Sequence, residues 1–73
     1  MEMLIAMDYQ DNGERVISSI FYYPWTNEQK YSHLNFLTER HDEVYIIKTF
    51  DPTSQPFIDE IVTKGCLITK NNY

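Results

Sequence analysis

One thiol, two imidazoles and scattered carboxylates are the groups through which this sequence could do chemistry. Cys66 is the only thiol, and His33 and His41 are the only imidazoles. A Cys–His nucleophile needs the two side chains in contact. Cys66 instead lies beside Leu67 and Ile68, the setting of an inert buried thiol. His33 and His41 would lie roughly 12 Å apart along a helix, too far to share one ion. Beside Arg40, Asp42 and Glu43, His41 reads as part of a solvated helix end, where His and Arg complement the dipole. Asp51 precedes Thr53 and Ser54 at a strand end, where open sheets often bind ligands. A plain Asp-Pro turn with a hydroxyl cap explains the same residues. Asp59 and Glu60 are adjacent on a helix, so they point in different directions and read as surface. No GxxxxGK[ST], GxGxxG or GxSxG motif is present, and two glycines cannot build such loops. These residues point to a non-enzymatic protein with no catalytic residue, metal site or cofactor.

The elements that position these groups follow from residue patterning. Met3 to Gln10 and Arg15 to Tyr23 read as strands joined at Asn12-Gly13, a strong hairpin signal. A two-residue turn there would pair Tyr9 with Val16, Met7 with Ser18, Ile5 with Ile20 and Met3 with Tyr22 on one face. Arg15, Ile17, Ser19 and Phe21 would then share the other face with Leu4, Ala6, Asp8 and Gln10. Pro24 stops the strand, and Thr26 with Gln29 has capping-box spacing. Tyr31, Leu34 and Leu37 would turn that helix toward the sheet, with Phe36 off the main stripe. Glu43 to Phe50 is a strand apolar on both faces, which suggests a central position. A second helix is expected from the Asp51–Pro56 turn, packing through Phe57, Ile58, Ile61 and Val62 and ending at Gly65. Cys66 to Thr69 is a short last strand, and Lys70 to Tyr73 a frayed tail. The expectation is one small α+β domain over residues 1–73. It has a four-stranded mixed sheet, a parallel crossover from the third strand to the fourth, and both helices packed on one face.

Composition narrows the function further. The 73 residues hold six Lys+Arg against eleven Asp+Glu, for a net charge of -5. Glu2 stands where a secretion signal wants a base, and no run of about 18 apolar residues occurs. A cytoplasmic protein with no membrane partner is expected. One cysteine excludes an internal disulfide framework. Eleven aromatic rings exceed what so small a core can hold, and surface rings are enriched at protein interfaces.

Charge is the stronger lead. Residues 1–14 hold Glu2, Asp8, Asp11 and Glu14 with no Lys or Arg, leaving -1 for the rest of the chain. The hairpin tip is therefore an acidic pole that steers toward a basic surface and away from nucleic-acid phosphates. Phe21, Tyr23 and Trp25 would add an apolar strip beside it, unless a helix or a second copy of the chain covers that face. The pattern fits a small regulator or inhibitor, of the scale seen among phage and mobile-element products. It would dock on a larger basic protein of the nucleic-acid machinery, such as a polymerase, a nuclease or a transcription component. The expected contact residues are Asp8, Asp11, Glu14, Phe21, Tyr23 and Trp25. The alternative is a single-stranded nucleic-acid binder that stacks bases on sheet aromatics.

Overall fold

A computed structural model of the chain describes residues 2–22, 26–48, 51 and 54–71. The elements run β1 (Met3–Tyr9), β2 (Arg15–Tyr22), α1 (Asn27–Arg40), β3 (Glu43–Ile47), α2 (Ile58–Lys64) and β4 (Cys66–Lys70). This is an α+β domain with one four-stranded sheet in the order β2-β1-β3-β4. No helix among the described residues is long and apolar enough to cross a membrane.

Every neighbouring pair of strands is antiparallel, so the sheet is not mixed. The reason lies at the end of α2. A parallel fourth strand would need the chain carried back to the start of β3 first. Gly65, the residue after α2, instead sits against the finish of β3, where an added Cβ would lie 3.2 Å from Ile47 Cγ1. β4 therefore enters beside Ile46 and runs back, pairing Cys66 with Ile46 and Lys70 with Glu43.

The helices also lie on opposite faces rather than one. Met3, Ile5, Met7, Tyr45 and Ile47 pack with Ile61 of α2. Leu4, Ala6, Val44 and Ile46 pack with Leu37 of α1, flanked by Leu34. Residues 3–7 and 44–47 are buried, so the central strands are apolar on both faces up to the buried Glu43 at the start of β3. Each large apolar side chain buried contributes roughly 1.5–3 kcal/mol. Two helices on one side would forfeit that for the whole opposite face. Each face therefore receives one narrow cover, and rings expected in the core stay outside. Tyr31 is 64% and Phe57 77% exposed, and Val62 is exposed on the outer side of α2.

The helix boundaries have local causes. Thr26 Oγ1 accepts from the Gln29 N–H at 3.1 Å, and Gln29 Oε1 accepts from the Thr26 N–H at 3.1 Å, completing the expected capping box. α2 starts later than expected, with Phe57 at the N-cap and no side-chain cap. Pro52 and Thr53 lie outside the described residues. Cys66 is exposed on the edge strand β4, not buried. Lys70 belongs to β4, and the Asn71 N–H donates to the Asp42 carbonyl at 2.7 Å, so neither frays. Asn72 and Tyr73 are outside the described residues.

The hairpin register splits at one residue. Met3, Leu4, Ile5 and Ala6 pair with Tyr22, Phe21, Ile20 and Ser19, in the expected register. Nearer the tip, Met7, Asp8 and Tyr9 pair with Ile17, Val16 and Arg15 instead. Ser18 is left over as a bulge. The turn explains the slip. The Gln10 N–H donates to Glu14 O at 2.8 Å and the Gly13 N–H to Gln10 O at 2.9 Å, closing a three-residue loop with Gly13 at φ 85°. Such loops hold a left-handed glycine at their third position. Asn12 Oδ1 accepts from the Glu14 N–H at 3.0 Å and fixes the bend. Arg15 and Ile17 thereby change faces, and Ile17 joins the cluster under α2.

Gly65 terminates α2 by fit rather than by a left-handed backbone, since its φ is -78°. A Cβ there would lie 2.5 Å from the Ile61 carbonyl oxygen. Gly65→Ala is expected to lower unfolding stability by about 1–3 kcal/mol, read by urea titration. An unchanged midpoint would show that the α2–β4 corner has room to relax.

Candidate functional site

Two polar clusters close the tip end of the sheet, one on each face. On the α2 face stands Glu43, 1% exposed. Arg15 Nε donates to its Oε1 at 2.6 Å, and the Tyr9 hydroxyl donates to its Oε2 at 2.9 Å. The Arg15 guanidinium also lies 5.5 Å from the Tyr9 ring centre. The bulge makes this possible, because it brings Arg15 opposite Tyr9 on the Glu43 side. Burial pushes the Glu43 carboxyl up, but the bonds from Arg15 and Tyr9 and the charges of Arg15 and Lys70 outweigh it. The group ends below its ordinary range. The bond to Glu43 raises Arg15 in turn. Burial, then the Glu43 charge, pushes the Tyr45 phenol up.

On the α1 face Asp8 ties three segments together. Its Oδ2 accepts a short hydrogen bond from the Ser18 hydroxyl and lies 2.8 Å from His41 Nδ1. Its Oδ1 accepts from the Asp42 N–H at 3.0 Å. Asp42 answers by accepting from the Tyr9 N–H at 2.8 Å. Asn71 Nδ2 then donates to the carbonyls of Thr38 at 2.8 Å and His41 at 2.7 Å. Burial raises the Asp8 carboxyl, and the bonds from Ser18, His41 and Asp42 overcome that and leave it lowered.

Serine, histidine and aspartate meet here, but the order is wrong for nucleophilic catalysis. A triad routes the serine proton to imidazole, with the carboxylate behind it. Here the carboxylate sits in the middle and takes the serine proton's hydrogen bond itself. A carboxylate with a lowered pKa is a poor general base. The cluster therefore works as a tie between β1, β2 and the α1–β3 junction. Among the described residues no group of three His, Cys, Asp or Glu side chains could hold a metal ion.

The expected docking residues separate into three sets. Asp11 and Glu14 are exposed at the hairpin tip, and among the described residues no ion pair reaches either. Asp8 has both oxygens engaged inside the protein. Phe21 is half-buried at the other end of the hairpin, opposite Leu4. Tyr23 and Trp25 lie outside the described residues. Six residue steps from Leu4 to Gln10 span about 20 Å, so the ring and the tip are at opposite ends of one strand pair.

Around Phe21 the fold builds a feature that residue patterning does not reveal. The His33 ring meets Phe21 edge-on, with centroids 5.1 Å apart. Phe21, Ser32, His33 and Phe36 line an apolar groove of about 410 Å³ between α1 and β2. Phe36 is 52% exposed, and the Arg40 guanidinium lies 3.9 Å from its ring centre. The one advance signal was Phe36 standing off the core stripe of α1. The chain matches no protein-family model, no curated protein and no solved structure.

Both clusters have stability consequences. Arg15→Met strands the buried Glu43 carboxylate with one donor and is expected to cost about 1–3 kcal/mol, read by urea unfolding. A loss below a few tenths would remove the pair from the structure's supports. Asp8 and Glu43 are both lowered on folding from ordinary values of 3.8 and 4.5. Their contribution is therefore fully present above those values and is lost as pH falls through the folded ones. The unfolding free energy should drop as pH is lowered below 4.5, and less steeply in Asp8→Asn. Parallel slopes for the two proteins would exclude Asp8 from the acid sensitivity.

Proposed function

We propose that the protein is a non-enzymatic interaction module. It docks the acidic tip of its β1–β2 hairpin on a basic surface of a larger protein. The nucleic-acid machinery, where basic surfaces are large and exposed, supplies partners of this kind, and a polymerase or nuclease regulated or inhibited by the contact is the leading case. The observation that carries this reading is how unevenly the four acids of residues 1–14 are treated. Glu2 meets Lys30 at 3.0 Å, and Asp8 meets His41. Asp11 and Glu14 flank the same tight turn and, among the described residues, meet no cation, although like charges close together weaken a hairpin. Unpaired charge kept at a projecting tip is suited to speeding encounter with a partner of opposite sign.

One further observation weighs against the stacking alternative. Base stacking on the sheet is poorly served, because both faces of its central strands are covered and Tyr45 is only 4% exposed. The net charge of -5 also opposes phosphate binding.

The test is kinetic. A partner is first recovered from a nuclease-treated lysate, and its association rate is then measured across salt concentrations. Asp11→Lys with Glu14→Lys is expected to slow association about tenfold or more and to flatten the salt response. A salt-independent wild-type rate, or a double variant that associates as fast, overturns the reading. Recovery of nucleic acid alone would favour stacking.

A further inference from the structure

Along β2 an open strand edge, an apolar groove and uncompensated charge coincide. Among the described residues β2 is the outer strand, bonded only to β1. The backbone on its other side is a template for one more strand. Residues 15–22 hold no proline and no lysine, the usual guards of an edge. Their single charge, Arg15, is held to Glu43 at 2.6 Å. The bulge at Ser18 interrupts the edge but leaves residues 19–22 in regular register. The groove lined by Phe21, Ser32, His33 and Phe36 lies beside that regular half. Its volume of about 410 Å³ accommodates one large apolar side chain. Toward the other end of the same edge stand Asp11 and Glu14. The opposite edge, β4, is built differently. Its five residues end in Lys70 and include no acid, so a basic segment finds no complement there.

We propose that β2 receives an extended basic segment of the partner as a fifth strand, antiparallel to β2. One large apolar side chain of that segment fills the groove. This deepens the docking function proposed above and rests on it. β2 runs away from the tip, so an antiparallel segment runs toward it. The apolar residue therefore comes first, and lysines or arginines follow about seven residues later, at about 3.3 Å per residue, beside Asp11 and Glu14. Backbone pairing and the groove hold the segment, while the acids speed its arrival and fix its direction.

The probe is a short Thr- and Ser-rich peptide with a phenylalanine near its N-terminus and a pair of lysines near its C-terminus. It is titrated into isotopically labelled protein, and amide shifts and hydrogen exchange are followed. Binding is expected to shift the amides of Ser19, Ile20, Phe21, His33 and Phe36 and to slow exchange along β2. Replacing the probe's phenylalanine by serine, or Phe36→Ser in the protein, should weaken binding about tenfold. Phe36 is half-exposed, and an unchanged melting temperature would confirm that the variant is folded. Exchanging the probe's lysines for glutamates, or Asp11→Lys with Glu14→Lys, should weaken it similarly. If lysine exchange abolishes binding but the groove changes do nothing and shifts stay at the tip, the fifth strand falls and acidic docking stands. If binding ignores both charge changes, the docking reading itself falls. Absence of binding, shifts at β4, or β2 protection by self-association without peptide each overturn the proposal.

Discussion

Ser18 faces no residue of β1 in the pairing register, and much of the lower hairpin depends on that one extra residue. A sheet's side chains alternate strictly, so one extra residue sends everything beyond it to the other face. Without the bulge, the three-residue loop and the apolar face of upper β2 would demand incompatible registers. With it, Ile20 and Ile17 both reach the core under α2, and Arg15 arrives over Glu43. Glu43 sits at a fully buried position of a central strand, where an unpaired carboxylate would be costly. The bulge that solves the register problem thus also supplies the counter-ion. The displaced residue is used as well, since the Ser18 hydroxyl bonds Asp8 on the opposite face.

The second constraint is a central strand pair that is apolar on both sides. Two short helices must each cover a whole face, and neither is wide enough. α1 seals its face with Leu37 and Leu34, and α2 does so with Ile61 and Ile58. Their remaining apolar residues are left outside, which is why Tyr31, Phe36 and Phe57 are exposed in so small a protein. The groove beside Phe21 follows from the same shortage of cover. Leu34 and Leu37 of α1 seal the cluster, and Phe21 at its margin is left lining the groove with Ser32, His33 and Phe36.

The polar ties and the acidic tip divide the work of the charged residues. Acids near the chain's tertiary contacts are consumed: Glu43 by Arg15 and Tyr9, Asp8 by Ser18 and His41, Glu2 by Lys30. Those on the projecting turn are not. Two hydrogen-bonded clusters hold the hairpin at its base, and the two acids of its turn take part in neither.

Local pattern determined the elements, their order and the α1 capping box, because each depends on neighbours a few residues apart. The acidic pole was equally legible, since it is a property of composition along a short segment. Three features were decided only in the tertiary structure. The direction of β4 depends on where α2 ends against Ile47, which no local spacing encodes. The split of the helices between faces depends on burying Leu4 and Ala6 together with Val44 and Ile46, residues about forty positions apart that meet only after pairing. The fate of Asp8 was hidden for the same reason: as a sequence element it is one more acid near a turn, and only the bulge and the α1–β3 junction bring Ser18, His41 and Asp42 to its carboxylate. Sequence assigns charge and periodicity, but contact between distant residues decides which charges are spent inside the fold and which stay at its surface.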